Sequence, residues 1–165
     1  MIFVTTGTQA PFNRLVRAMD EIAAELQDEE IIVQAFEVDF EPANLKVVGF
    51  LEPAAYTEIF DGARLIVSHA GMGSIVSALT AGKPIVVMPR KASLQEHRND
   101  HQIDTARKME KLQSIPVAYE VEDLKPMILK MLAEGNPKPL PATGRFASSS
   151  LIQSVRNFIN KQTNK

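Results

Sequence analysis

The residues best suited to chemistry form a glycine-bearing run directly after an apolar stretch. Residues 65–67 are apolar and predict a buried strand, and the pattern beyond residue 72 is helical. The run begins directly after this predicted strand and extends into the predicted helix. It consists of Ser68, His69, Ala70, Gly71, Met72, Gly73 and Ser74. The first N–H groups of a helix and the positive end of its dipole attract anions, and glycines let the backbone come close. The run therefore predicts an anion site, with a phosphate as the expected group.

His69 raises the odds of a phosphate ligand over a tight structural turn. Its imidazole can donate to a phosphoryl oxygen, and protonation would strengthen that bond. The alternative is a core histidine bonded to a backbone carbonyl. A second turn, Thr6-Gly7-Thr8, also follows an apolar strand, so both glycine turns are expected at strand ends.

A second polar cluster follows the next apolar strand. It consists of Glu96, His97, Arg98, Asn99, Asp100, His101 and Gln102. Donors and acceptors at the start of a helix suit sugar hydroxyls, which need both. The alternative for Asn99 and Asp100 is an Asx-type helix cap with exposed neighbours. Gln102, on the side opposite Ile103, has less structural reason to be there.

Composition predicts one globular domain of a reducing compartment. The chain has 165 residues, 45% of them hydrophobic and 23% charged, which is enough for a single core. It has no apolar run of membrane-spanning length and no signal-like start, so a cytoplasmic location is expected. No cysteine is present, and the three histidines do not follow a ligand spacing, so no metal site is expected.

Charge is unevenly distributed along the chain. The formal net charge is −2, yet residues 83–111 carry +3 and the remainder −5. The overall balance argues against nucleic-acid binding. The basic segment is either a solvated helix face or the surroundings of an anionic ligand, and its place beside the glycine turn favours the ligand.

Apolar periodicity predicts alternating strands and helices. Strands are expected at 2–5, 31–35, 46–49, 65–68, 84–88 and 115–118. Helices are expected from Phe12 to Leu26, with Pro11 in the first turn, and at 54–60, 72–81, 96–112 and 122–133. This order predicts an α/β fold, a Rossmann-like parallel sheet with helices on both faces that binds ligands beyond the carboxyl ends of its strands.

The chain divides into three segments. Residues 1–135 are expected to form the ligand-binding domain, and residues 136–149 a spacer rich in proline, glycine and serine. Residues 150–165 predict a last helix. This helix either packs on its own domain or docks on another chain.

Three motifs together resemble the donor-binding, C-terminal half of GT-B glycosyltransferases of family 28. They are residues 69–74, the Ala81-Gly82-Lys83-Pro84 step and the pair His101-Gln102. The opening residues 4–8 and 11–15 are similar to the small subunits of two-chain UDP-sugar glycosyltransferases. The resemblance covers residues 1–135, and the string 96–102 looks like the bacterial exopolysaccharide and capsule type.

The resemblance implies a site for a UDP-sugar. It assigns the nucleotide diphosphate to Gly7, Thr8, His69, Gly71, Met72, Gly73 and Ser74. It assigns the sugar to Glu96, Asp100, His101 and Gln102. The related enzymes carry a ribose-binding acid where this chain has Ser77, and an aspartate where it has His101.

The implied activity is that of the catalytic, donor-binding subunit of a heteromeric inverting glycosyltransferase. It moves a hexose-type sugar from UDP-sugar to a polyprenyl-diphosphate-linked acceptor in polysaccharide biosynthesis, with His69 stabilising the leaving group and no cofactor. The expected partner is a membrane-anchored, acceptor-binding subunit that holds the chain at the inner face of the membrane. A noncatalytic UDP-sugar-binding or regulatory module, an epimerase relative and self-association into a homodimer are the alternatives.

Overall fold

Five parallel strands form one sheet in the order β3-β2-β1-β4-β5. The computed structural model describes residues 1–113, 115–133 and 153. The strands are β1 (Ile2–Thr5), β2 (Ile31–Gln34), β3 (Lys46–Val48), β4 (Leu65–His69) and β5 (Ile85–Met88). The predicted α/β fold with a parallel sheet is therefore confirmed.

Helices cover both faces of the sheet. They are α1 (Asn13–Ala23), α2 (Pro53–Gly62), α3 (Met72–Thr80), α4 (His101–Gln113) and α5 (Val121–Ala133). Side chains of α1 and α5 share one buried cluster with Ile2 and Val4, whereas those of α2, α3 and α4 share another with Phe3. Because side chains alternate along β1, the strand contributes to both cores and is apolar throughout.

The strand order reverses between β1 and β4. From β1 the chain crosses to β2 and β3 on one side, then returns to place β4 and β5 on the other. Thr5 and Ser68 are register partners at this junction. In open α/β sheets such a reversal leaves a crevice beyond the carboxyl ends of the two central strands. The turns after Thr5 and after His69 both open into that crevice.

The predicted helix 96–112 is wrong in its first residues. Helix α4 begins at His101, and residues 96–100 form a loop. The side chain of Asn99 accepts a hydrogen bond from the His101 N–H, and the Asp100 carbonyl accepts the bonds of the first helical turn. The polar residues therefore cap the helix instead of continuing it.

Two smaller predictions also differ from the structure. The expected strand 115–118 is a single parallel bridge between Val117 and Val87. Helix α1 starts at Asn13 and its first hydrogen bonds run to the carbonyl of Phe12, so Pro11 precedes the helix. The Pro11 carbonyl accepts a hydrogen bond from the side chain of Arg90.

The C-terminal predictions fall outside the described residues. The spacer 136–149 lies there completely, as does the helix 150–165 apart from Gln153. Among the helices of the described ranges, none combines the length and the apolar character needed to cross a bilayer.

A substitution at Leu15 tests the packing of the buried cluster that α1 and α5 share with Ile2 and Val4. This residue is fully buried on α1, so Leu15→Ala removes packed methyl groups and is expected to lower the free energy of unfolding by about 2–5 kcal/mol. Leu112→Ala is the control, since Leu112 is exposed on α4 and its loss should change stability by about 0.5 kcal/mol or less. Urea denaturation measures both; equal effects would contradict the packing described.

Candidate functional site

The imidazole of His69 occupies the reversal point between two glycines. A Cβ built on Gly7 would lie 2.8 Å from His69 Nε2, and one built on Gly71 would overlap His69 Cε1. Gly7 also has a φ of 77°, a conformation that favours glycine. These two glycines therefore make room for the histidine ring. Gly73 is different, because a Cβ there would meet nothing within 4 Å.

The N-terminus of α3 opens beside this ring. Gly71 is its N-cap residue and makes no side-chain cap, and the first helical bond runs from the Ile75 N–H to the Gly71 carbonyl. The N–H groups of Met72, Gly73 and Ser74 precede that bond, so they have no acceptor within the helix. Met72 and Gly73 are exposed. The predicted helix start after the glycine turn is thus present, and its role as an anion site stays a prediction.

Arg90 fixes the loop on the opposite side of the crevice. It follows β5, is only 3% exposed, and donates to the carbonyls of Thr6 (2.8 Å) and Ala10 (2.6 Å). It also donates to the Pro11 and Glu96 carbonyls, and its guanidinium lies 4.7 Å from the centre of the Phe12 ring. A buried cation is tolerated when its donors are satisfied in this way. Among the described residues no carboxylate forms an ion pair with Arg90, although the charge of Glu96 acts on it from nearby.

The surroundings of His69 keep its imidazole neutral. Burial lowers the pKa of His69 to about 4, and the positive charge of Arg90 contributes to the same shift. His97 lowers the same pKa by a smaller amount. At neutral pH the ring can therefore donate one hydrogen bond and accept one. The strengthening by protonation that the sequence suggested is not available there.

Gln102 is the polar-cluster residue that reaches this ring. It is 4% exposed, its Oε1 accepts from the Arg90 backbone N–H at 3.2 Å, and its amide nitrogen lies 3.3 Å from His69 Nδ1. The other three predicted sugar-binding residues are placed differently. Their side chains are engaged with the protein or exposed.

Glu96 is held in a partly buried ion pair. Its two carboxylate oxygens accept from Arg14 at 2.7 and 2.8 Å, and one also accepts from the Lys91 backbone N–H. Asp100 accepts from the Ala92 N–H at 2.8 Å. His101 is exposed, bonds to Asn99, and packs its ring edge-on against His97.

Two larger cavities share lining residues with the crevice. The narrow crevice itself, about 40 Å³, is lined by Thr6, Gly7, Thr8, Gln9, Ala10, His69, Arg90, His97 and Gln102. On one side, a cavity of about 340 Å³ shares Gly7 and Thr8 with it. On the other, a cavity of about 430 Å³ shares Gln9, Ala10 and His97 with it.

The two larger cavities differ in chemistry. The first is lined by Phe36 and Phe50, which are 55% and 73% exposed and follow the ends of β2 and β3. The second, here called the polar cavity, has a larger polar share than the first and is lined by Glu96, His97 and Arg98. Sequence reasoning did not single out Phe36 and Phe50, and it named His97 in the polar cluster without assigning it to the sugar. For the aromatics, the available signal was a phenylalanine two residues past each strand end.

Ser77 lies exposed on the second turn of α3, four residues after Gly73 and hence on the same helix face.

Across residues 1–113 and 115–133, no group of three or more histidine, aspartate or glutamate side chains is arranged to hold a metal ion.

Comparisons with known proteins identify the family and the fold of the chain. The model of the glycosyltransferase family 28 C-terminal domain matches residues 1–155. The UDP-N-acetylglucosamine transferase subunit ALG13 of Eremothecium gossypii is 32% identical over 114 residues, which are 68% of this chain. The chain covers 54% of that relative, so it spans about half of its length.

Solved structures share the fold. The solution structure of ALG13 is 24% identical, with a TM-score of 0.59, and 87% of this chain covers 90% of it. MurG of Acinetobacter baumannii is 19% identical, with a TM-score of 0.51; here 79% of this chain covers 40% of the other. These neighbours show a Rossmann-like sheet of the GT-B type. With a family model that matches nearly its whole length, the chain belongs to the glycosyltransferase family 28 C-terminal domain family.

Proposed function

We propose that the crevice binds a UDP-sugar and that the chain is the donor-binding subunit of an inverting glycosyltransferase. The observation that carries this proposal is the pair of cavities, one apolar and one polar, joined by a narrow crevice at His69. A nucleotide-sugar has the same order of parts: an aromatic base, a diphosphate and a polar sugar. The ALG13 relative of Eremothecium gossypii carries UDP-N-acetylglucosamine transferase in its name, which makes this sugar the first one to test.

The diphosphate would lie where the donors converge. Those donors are the Nε2–H of His69 and the N–H groups of residues 72–74, and the loop Gly7-Thr8 faces them. The buried charge of Arg90 adds positive potential without occupying the crevice. Uracil would enter the apolar cavity between Phe36 and Phe50, where its ring can stack.

The sugar would lie in the polar cavity beside His97 and Arg98. Within the sugar group that the resemblance implies, Gln102 is the side chain that borders the crevice, whereas Glu96 lines the cavity while paired with Arg14. Asp100 and His101 would reach the sugar only from the rim. Ser77 remains the candidate for a ribose contact.

The reaction would be a displacement at the anomeric carbon. The acceptor oxygen attacks that carbon, its bond to the β-phosphate oxygen breaks, and the electron pair leaves with UDP. Preformed donors at His69 and α3 stabilise the growing charge on the leaving group. The proton of the acceptor goes to a general base that we do not assign on this chain, since the carboxylate of Glu96, which lines the polar cavity, is already paired with Arg14.

A second subunit would supply the acceptor. The described residues form one Rossmann-like sheet, and the chain covers 40% of its solved neighbour MurG. We therefore propose a membrane-anchored partner that presents a polyprenyl-diphosphate-linked acceptor on the cytoplasmic side, for polysaccharide biosynthesis of the exopolysaccharide or capsule kind. The segment 150–165 is the proposed docking element, and self-association is proposed for the isolated chain.

Removing the imidazole tests the diphosphate site. His69→Ala deletes a donor to a charged oxygen, a contact of about 1.5–3 kcal/mol, so the affinity for UDP should fall about tenfold or more. Isothermal titration calorimetry measures the affinity, and the thermal unfolding midpoint controls for loss of fold. A folded variant with unchanged affinity would remove His69 from the site.

The pH dependence tests the charge state of the donor. Because the pKa of His69 is lowered to about 4, the ring is uncharged on both sides of the usual histidine value of 6.5. We propose that the ring stays neutral in the complex as well, so the ratio of wild-type to His69→Ala affinity for UDP-N-acetylglucosamine should stay constant from about pH 5.5 to pH 8. A charged donor would instead make this ratio fall as the pH rises through about 6.5.

Reconstitution tests the enzyme itself. The purified chain should bind UDP-sugar yet transfer nothing to a polyprenyl-diphosphate sugar, and membranes bearing the acceptor-binding subunit should restore transfer. His69→Ala in the same mixture is the control for dependence on this site. Transfer by the chain alone would contradict the two-subunit proposal, and binding without transfer in the full mixture would favour the noncatalytic module.

A further inference from the structure

The amide of Gln102 lies between two groups that determine its orientation. The backbone N–H of Arg90 can only donate, so the atom facing it at 3.2 Å is the amide oxygen. The amide nitrogen then lies 3.3 Å from His69 Nδ1. That nitrogen carries hydrogens and has no acceptor capacity, so Nδ1 must be the acceptor. The single proton of the neutral ring is consequently on Nε2.

Nε2 faces the crevice. It lies on the side of Gly7, where a Cβ would come within 2.8 Å of it. Within the part of the chain that the structure describes, Nε2 has no hydrogen-bond partner. Gln102 itself is 4% exposed, and both ends of its amide are engaged within the protein. Its side chain is therefore directed at the histidine.

We infer that Gln102 is a positioning residue that holds His69 in the Nε2–H tautomer, so that a neutral ring presents one fixed donor to an anion in the crevice. The identity of that anion as a diphosphate rests on the proposed function; the tautomer does not. The Arg90 backbone N–H, which binds the Gln102 amide oxygen, is itself held in place, because the Arg90 guanidinium donates to four carbonyls.

A carboxylate at this position would reverse the pattern. In Gln102→Glu, one oxygen still accepts from the Arg90 N–H, and the other faces Nδ1 and accepts a proton from it. Nδ1 then becomes protonated, either in the other tautomer or in the charged ring. Glutamate has the size of glutamine, so packing alone would not produce this change.

The ring nitrogens of His69 can be observed by 15N NMR of the labelled, ligand-free full chain at neutral pH. Its signals are assigned by their loss in His69→Ala. We expect a bare Nδ1 and a protonated Nε2 in the wild type, and a protonated Nδ1 in Gln102→Glu. Gln95→Glu is the control, since it adds the same charge at an exposed residue after β5 and should leave the wild-type pattern unchanged.

A wild-type ring protonated at Nδ1, a mixture of both tautomers, or no change in Gln102→Glu would overturn the inference. If that variant does not fold, the wild-type spectrum alone decides. Titration with UDP separates the two proposals: a wild-type Nε2–H tautomer with no UDP binding leaves the positioning role standing and defeats the proposed function. UDP binding to an Nδ1–H ring does the reverse.

Discussion

The site depends on one constraint. The His69 ring lies against the backbone of two glycines, and there is no room for a Cβ at either of them. Gly7 belongs to the turn after β1 and Gly71 to the turn after β4, and each would collide with the imidazole if it carried a side chain. The two turns are therefore held at a distance set by one aromatic ring. The N-terminus of α3 starts at the same point, so its free N–H groups take their position from this contact.

A polar framework on the other side completes the crevice. Arg90 binds four carbonyls from the loop after β1 and from residue 96, and Arg14 binds Glu96 and the Pro89 carbonyl. These contacts tie segments about 80 residues apart in the chain to one edge of the sheet. Burial of the His69 ring, helped by the charge of Arg90, keeps the histidine neutral, and the same charge raises the positive potential around it. Arg90 thus contributes both to the structure of the crevice and to its electrostatics.

The sheet, its parallel order and the place of the crevice follow from local pattern, because buried strands and glycine turns are encoded by neighbouring residues. The partners of the polar cluster do not. Nothing in the spacing of residues 96–102 shows that Glu96 pairs with Arg14, because that contact depends on how distant segments pack. The cap of α4 by Asn99 is a local contact, and it is one of the two interpretations that the sequence left open. The glycines illustrate the same limit: sequence treats Gly71 and Gly73 alike, whereas one accommodates a protein ring and the other faces open space.

The most direct test of the account is a titration of the 15N-labelled chain with UDP, followed through its backbone amide signals. A diphosphate at the start of α3 should shift Met72, Gly73 and Ser74 most strongly, together with Gly7 and Thr8, in a saturable manner. Saturable shifts centred elsewhere on the sheet, or none at all, would contradict the assignment of this crevice as the nucleotide site.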